Sequence, residues 1–102
     1  MEEKFNLKIV GREGVLYNQN ILSVSSYNEK GKFDILGFHS NFISLVNKAL
    51  IIKESKDIAA KEIKFDSALL RTKEGKVEVY IGIEGIFSAG NQAYIEDFAE
   101  IK

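Results

Sequence analysis

Residues 69–81 read Leu-Leu-Arg-Thr-Lys-Glu-Gly-Lys-Val-Glu-Val-Tyr-Ile. Val77, Val79 and Ile81 alternate with Glu78 and Tyr80, the period of a strand with one face buried, and Lys73-Glu74-Gly75-Lys76 interrupts the apolar run with a glycine able to take positive φ. The stretch reads as a β-hairpin. Upstream, Ile63 and Phe65 alternate with charged neighbours and predict a strand from Ile63 onward, whereas Ile58-Ala59-Ala60-Lys61-Glu62 carries helix-favouring residues and stays open between helix and strand. The apolar runs Phe42 to Val46 and Ala49 to Lys53 are each too short for a helix. Downstream, Ile86 to Ala89 and Ala93 to Ile95 flank Gly90-Asn91-Gln92 and predict a second hairpin.

The N-terminal third continues the pattern. Phe5, Leu7 and Ile9 alternate with Asn6 and Lys8; Gly11 to Gly14 supplies turn residues; Val15 to Tyr17 and Ile21 to Ser26 are extended runs. Asn28-Glu29-Lys30-Gly31 is a polar turn, Phe33, Ile35 and Leu36 resume the apolar pattern, and Gly37 to Asn41 breaks it. Many short strands, little sustained helix and no long linker predict an all-β chain, an antiparallel β-sandwich or flattened barrel of about ten strands in one domain, 1–102.

Composition removes most chemistry. The 102 residues include no cysteine and one histidine, which excludes disulfides, thiolate metal sites, a cysteine nucleophile and a histidine cluster. With 14 basic and 15 acidic residues the net charge is −1, so neither nucleic acid nor an anionic lipid surface is favoured as partner. No apolar window reaches membrane-span length and the start does not open into a signal-peptide core, so the expected location is cytoplasmic, with no direct membrane insertion.

Enzyme motifs fail one by one. Gly31-Lys32 and Gly75-Lys76 are followed by Phe33 and Val77, not the Ser or Thr of a P-loop. Gly82 and Gly85 fit a bulge or close backbone packing better than a ligand loop. His39 and Ser40 are adjacent, so on an extended segment they point to opposite faces and make a poor nucleophile pair. Glu96, Asp97 and Glu100 read as a solvated face. Tyr27, Lys30, Lys32 and Phe33 could mimic a stacking nucleic-acid hairpin, which the net charge opposes. The remaining surplus is aromatic, with Tyr17, Tyr27, Phe38, Phe42 and Tyr94 suited to a protein interface.

The order of segments then resembles a known family. Leu7-Lys8-Ile9-Val10, Gly14-Val15-Leu16-Tyr17, Gly31-Lys32-Phe33-Asp34-Ile35-Leu36, and His39 followed by Phe42-Ile43-Ser44-Leu45 are similar, in sequence and order, to the N-terminal β-sandwich domain of the epsilon subunit of F-type ATP synthases. Lys73-Glu74-Gly75-Lys76 with Tyr80-Ile81, Glu84-Gly85-Ile86-Phe87, and Asn91 through Glu100 extend the resemblance over nearly the whole chain. It implies a non-catalytic rotor subunit with no cofactor, metal or catalytic residue, held between the gamma subunit and the membrane rotor ring. On this resemblance Asn28, Glu29, Lys30, Gly31 and Lys32 form the ring-facing turn, and Phe38, His39, Phe42 and Ser44 face gamma.

Departures from the family pattern matter too. No two-helix C-terminal domain follows Lys102, so inhibition of hydrolysis and ATP binding are not expected. Gly37 and Asn41 stand where the family has prolines, Asp34 replaces a glycine, and additional sequence between about Asn47 and Asp66 suggests an extra hairpin or short helix. Lys32 occupies a commonly acidic position. That reversal favours, as an alternative, an F-type-like ATPase paralogue coupled to a different partner; a stand-alone hydrolase or small-ligand binder using His39 is a third reading.

Overall fold

A computed structural model describes residues 3–37 and 41–82, and all its regular structure is strand. The strands are β1 (Phe5–Gly11), β2 (Gly14–Ile21), β3 (Ser23–Asn28), β4 (Gly31–Ile35), β5 (Phe42–Lys53), β6 (Lys61–Lys73) and β7 (Lys76–Ile81). They hydrogen-bond in the order β2-β1-β7-β6-β5-β3-β4. The 69–81 hairpin forms as its sequence implies: Lys73 pairs with Lys76 across Glu74 and Gly75, both at positive φ (52° and 78°). The second hairpin expected at 86–95 lies outside the described residues, as do Phe38, His39 and Ser40.

This sheet must fold over on itself. β2 and β3 stand five places apart in the strand order, which in a flat sheet is about 24 Å at ~4.8 Å per strand. Only Leu22 separates Ile21 from Ser23, a reach of about 7 Å. The two ends of the sheet are therefore drawn together, and the Leu22 N–H donates to the Lys53 carbonyl at 2.8 Å across the junction. Between the layers sits one apolar cluster fed by every strand, including Leu7, Ile9, Ile21, Val24, Ile35, Leu50, Ile52, Leu70, Val77 and Val79. Each of these comes from alternate positions of its strand, and burying them is the main favourable term in folding.

Two details differ from the expectations, and a third settles an alternative in favour of the hairpin. Pairing is not antiparallel throughout, because β1 and β7 run parallel, with Leu7 opposite Val77 and Ile9 opposite Val79. Phe42 to Val46 and Ala49 to Lys53 are one strand of 12 residues, joined through a bulge: Asn47 pairs with Ser67 but Lys48 with Phe65, and Lys48 takes φ 73°. A bulge adds a residue and bends the strand without ending it, which is why the polar Asn47-Lys48 pair looked like a boundary. The additional sequence between Asn47 and Asp66 is the outer arm of the β5–β6 hairpin, with Ile58 to Ala60 in the turn and β6 beginning at Lys61. No helix forms there because Ile63 and Phe65 pack against the core from a strand.

Candidate partner-binding rim

The polar turn expected at 28–31 closes the β3–β4 hairpin. Asn28 pairs with Gly31, and the Asn28 Oδ1 accepts the Lys30 N–H at 2.8 Å, an Asx-type turn that Asn makes with its own backbone two residues on. Gly31 sits at φ 115°, where a Cβ would be strained although nothing lies within 4 Å of one. The turn thus presents Glu29, Lys30 and Lys32 to solvent.

Beside it lies the first half of β5. The Phe42 N–H donates to the Oγ1 of buried Thr72 at 2.9 Å, and the Phe42 ring meets Phe33 edge-on, centroids 6.1 Å apart at 73°. β3 pairs with β5 from Ser23 opposite Lys53 as far as Tyr27 opposite Asn47, and no further. Beyond that point the strands part, and a long contact from Asn28 Nδ2 to Ser44 Oγ at 3.4 Å bridges them. The gap is a cleft of about 380 Å³ lined by the 28–30 turn and residues 42–45, a volume within the usual range for ligand sites.

The structure therefore brings Asn28, Glu29 and Lys30, expected on one side, together with Phe42 and Ser44, expected on another, around a single cleft. Gly31 and Lys32 follow along β4, exposed, with Lys32 opposite Tyr27. Two further residues escaped the sequence reading. Ile43 and Leu45 are 39% and 58% exposed and line the same cleft. Local pattern could not have found them: alternation around the polar Ser44 would place Ile43 and Leu45 on the buried face, whereas Ser44 lies on the side of Phe42 and buried Val46. At the closed end the Lys48 ammonium lies 5.1 Å from the centroid of the Tyr27 ring, a cation–π contact.

Two further polar clusters among the described residues tie the strands together. Tyr17 on β2 donates its phenol proton to Glu54 after β5, and Lys61 Nζ reaches the same carboxylate at 3.0 Å. Burial, then the Glu54 bond, pushes the Tyr17 phenol above its ordinary value; the Tyr17 bond, then Lys61, holds the Glu54 carboxyl below its own. This clasp ties the β2 edge to the β5–β6 turn. On the outer face Arg71 bonds Glu78 at 2.5 Å and Tyr80 donates to the same carboxylate oxygen at 3.0 Å.

Fold and rim together define a small all-β sandwich domain with an open cleft beside β5. No family model matches the chain. It is 32% identical over 78 residues to the ATP synthase epsilon chain of Sulfurimonas denitrificans, which covers 76% of this chain and 60% of that relative, and 28% identical over 89 residues to the epsilon chain of Campylobacter concisus, covering 87% and 68%. Its fold matches, with a TM-score of 0.64 at 9% identity, a chain of the Tetrahymena thermophila mitochondrial ATP synthase central stalk and c-ring, over 78% of this chain and 64% of that one. The epsilon-chain relatives cover 76–87% of the chain at 28–32% identity, which is consistent with the N-terminal domain of an ATP synthase epsilon chain. The chain spans about three-fifths of the length of the Sulfurimonas relative.

Proposed function

We propose that this chain is a non-catalytic central-stalk subunit of an F-type ATP synthase or ATPase, binding the gamma subunit and linking it to the rotor ring at the membrane surface. The observation that carries this reading is the match to epsilon chains over three-quarters of the chain, and a folded-over sheet suits it. A closed, densely packed core transmits force with little compression, so a domain clamped between two moving partners passes torque without deforming. The rim around Asn28 to Lys32, Phe42 and Ser44 is the contact surface, with Phe38 and His39 assigned to it from the family pattern. Among the described residues no helix is long and apolar enough to cross a membrane, and attachment to the membrane comes through the complex.

The test is co-purification with the gamma subunit of the same organism. Binding at micromolar concentration is expected, and its absence refutes the assignment. Exposed Lys32, at a commonly acidic position, favours one second reading, an F-type-like ATPase paralogue with a different ring-side partner. Neighbouring genes for catalytic alpha- and beta-like subunits without ring subunits would select it.

A further inference from the structure

Lys48 holds its backbone where a lysine is strained. It lies inside β5 at φ 73°, in the left-handed region that costs any residue with a Cβ and that glycine enters freely. Among the described residues one other non-glycine has positive φ, Glu74, and it sits in the two-residue turn between Lys73 and Lys76, where both positions require it. At Lys48 the demand comes from a kink, because β5 slips register around this residue against both β3 and β6. A glycine would meet that demand without strain, so the kink by itself does not account for a lysine.

The fold does not tie up the side chain either. The Lys48 ammonium lies 5.1 Å from the centroid of the Tyr27 ring, and among the described residues it makes no ion pair or hydrogen bond. An exposed cation on a ring returns less than a left-handed backbone costs. What the ring contact does is fix a direction. Tyr27 adjoins Asn28 and stands directly opposite Lys32 on the β3–β4 ladder, and directly opposite residues share a face of the sheet. The ammonium is therefore aimed onto the face of Lys32, beside the 28–31 turn, with donors unused. Asp34, further along that face, accepts the Ser25 hydroxyl at 2.5 Å. Strain kept at a residue whose side chain the fold does not use marks a contact residue.

We propose that Lys48 belongs to the ring-facing contact surface, its ammonium held over Tyr27 to donate to an oxygen of the ring-side protein partner. The inference rests on the stalk reading and adds a residue to its contact surface. The kink orients the long side chain before the partner arrives, which lowers the ordering cost of the contact.

The test compares Lys48→Gly and Lys48→Arg in the full chain. Lys48→Gly relieves the backbone and removes the ammonium, so its Tm should hold within about 4 °C or rise. Its affinity for the membrane-bound ATPase of the same organism, depleted of this subunit, should fall about tenfold, while its affinity for the isolated gamma subunit stays unchanged. Lys48→Arg keeps a donor cation at the same φ and should bind the depleted complex as the unaltered chain does. Several results would overturn the proposal. These are a Tm lowered by more than about 4 °C in Lys48→Gly, because the lysine then serves the fold; undiminished affinity of Lys48→Gly for the depleted complex; no rescue by Lys48→Arg; an equal loss on gamma alone, which moves the contact to the other partner; or binding to phosphatidylglycerol vesicles that depends on Lys48, which moves it to lipid. A chain that binds neither gamma nor the depleted complex fails the stalk reading and takes this inference with it, whereas Lys48→Gly that still binds both refutes the inference alone.

Discussion

Replacing Ser26 with Ala tests what holds the rim open. Ser26 is 1% exposed, and its hydroxyl donates to the Ala49 carbonyl at 2.8 Å. It stands where both registers slip, between Ser25 and Tyr27 on the β3–β5 ladder, and directly across from the bulge at Asn47–Lys48. The hydroxyl thus fastens β3 to the residue after Lys48 at the point where the two strands begin to part. Ser26→Ala removes one oxygen, leaves almost no cavity and strips a buried carbonyl of a donor, which costs about 1–3 kcal/mol. For a chain of this size each kcal/mol moves Tm by roughly 4–8 °C. Thermal and urea unfolding should show that loss with an unchanged urea slope, and amide exchange should quicken first around Lys48–Leu50 while the β1–β7 pair keeps its protection. A Tm within about 2 °C of the unaltered chain would refute the assignment of this hydroxyl as the fastening.

Other outcomes follow from the same geometry. Leu50, fully buried in the shared cluster, should cost about 2–5 kcal/mol when cut to Ala, read from the urea midpoint. Gly31→Ala meets no atom within 4 Å but must hold φ 115°, so it should cost about 1–2 kcal/mol by thermal unfolding. The Tyr17 phenol is raised from 10.0 in the fold, so its clasp stabilises fully below pH 10 and is lost as pH climbs beyond it. The Glu54 carboxyl is lowered from 4.5, so its share is present above that pH and lost as acid protonates it. Tyr17→Phe should flatten the alkaline decline in urea stability above pH 10, and an unchanged alkaline limb would show the clasp is not coupled to folding.

The all-β class was legible from local pattern alone. Val77, Val79 and Ile81, like Phe5, Leu7 and Ile9, alternate at the strand period, and Gly75 marks a turn whichever strands end up as neighbours, because both signals depend only on residues next to one another in the chain. The Asn28–Gly31 turn was legible for the same reason: Asn28 bonds its own backbone two residues on. The family likeness followed from the order of such local segments.

What lies between distant segments was not. Nothing in Phe5–Gly11 or Lys76–Ile81 says that β1 and β7 run parallel, and nothing in Phe42–Lys53 says that Asn47 and Lys48 bend a strand instead of ending it. Both depend on which partner each strand finds, and that choice is made by burying one cluster common to all seven strands. The cleft shares this origin. Whether β5 has a neighbour beside Ile43 and Leu45 is decided by where β3 turns away after Tyr27, so two chain segments more than a dozen residues apart had to be placed in space before their side chains could form one rim. Alternation writes a strand and its buried face into the sequence, whereas a cleft is a relation between strands and exists only once the sheet has closed.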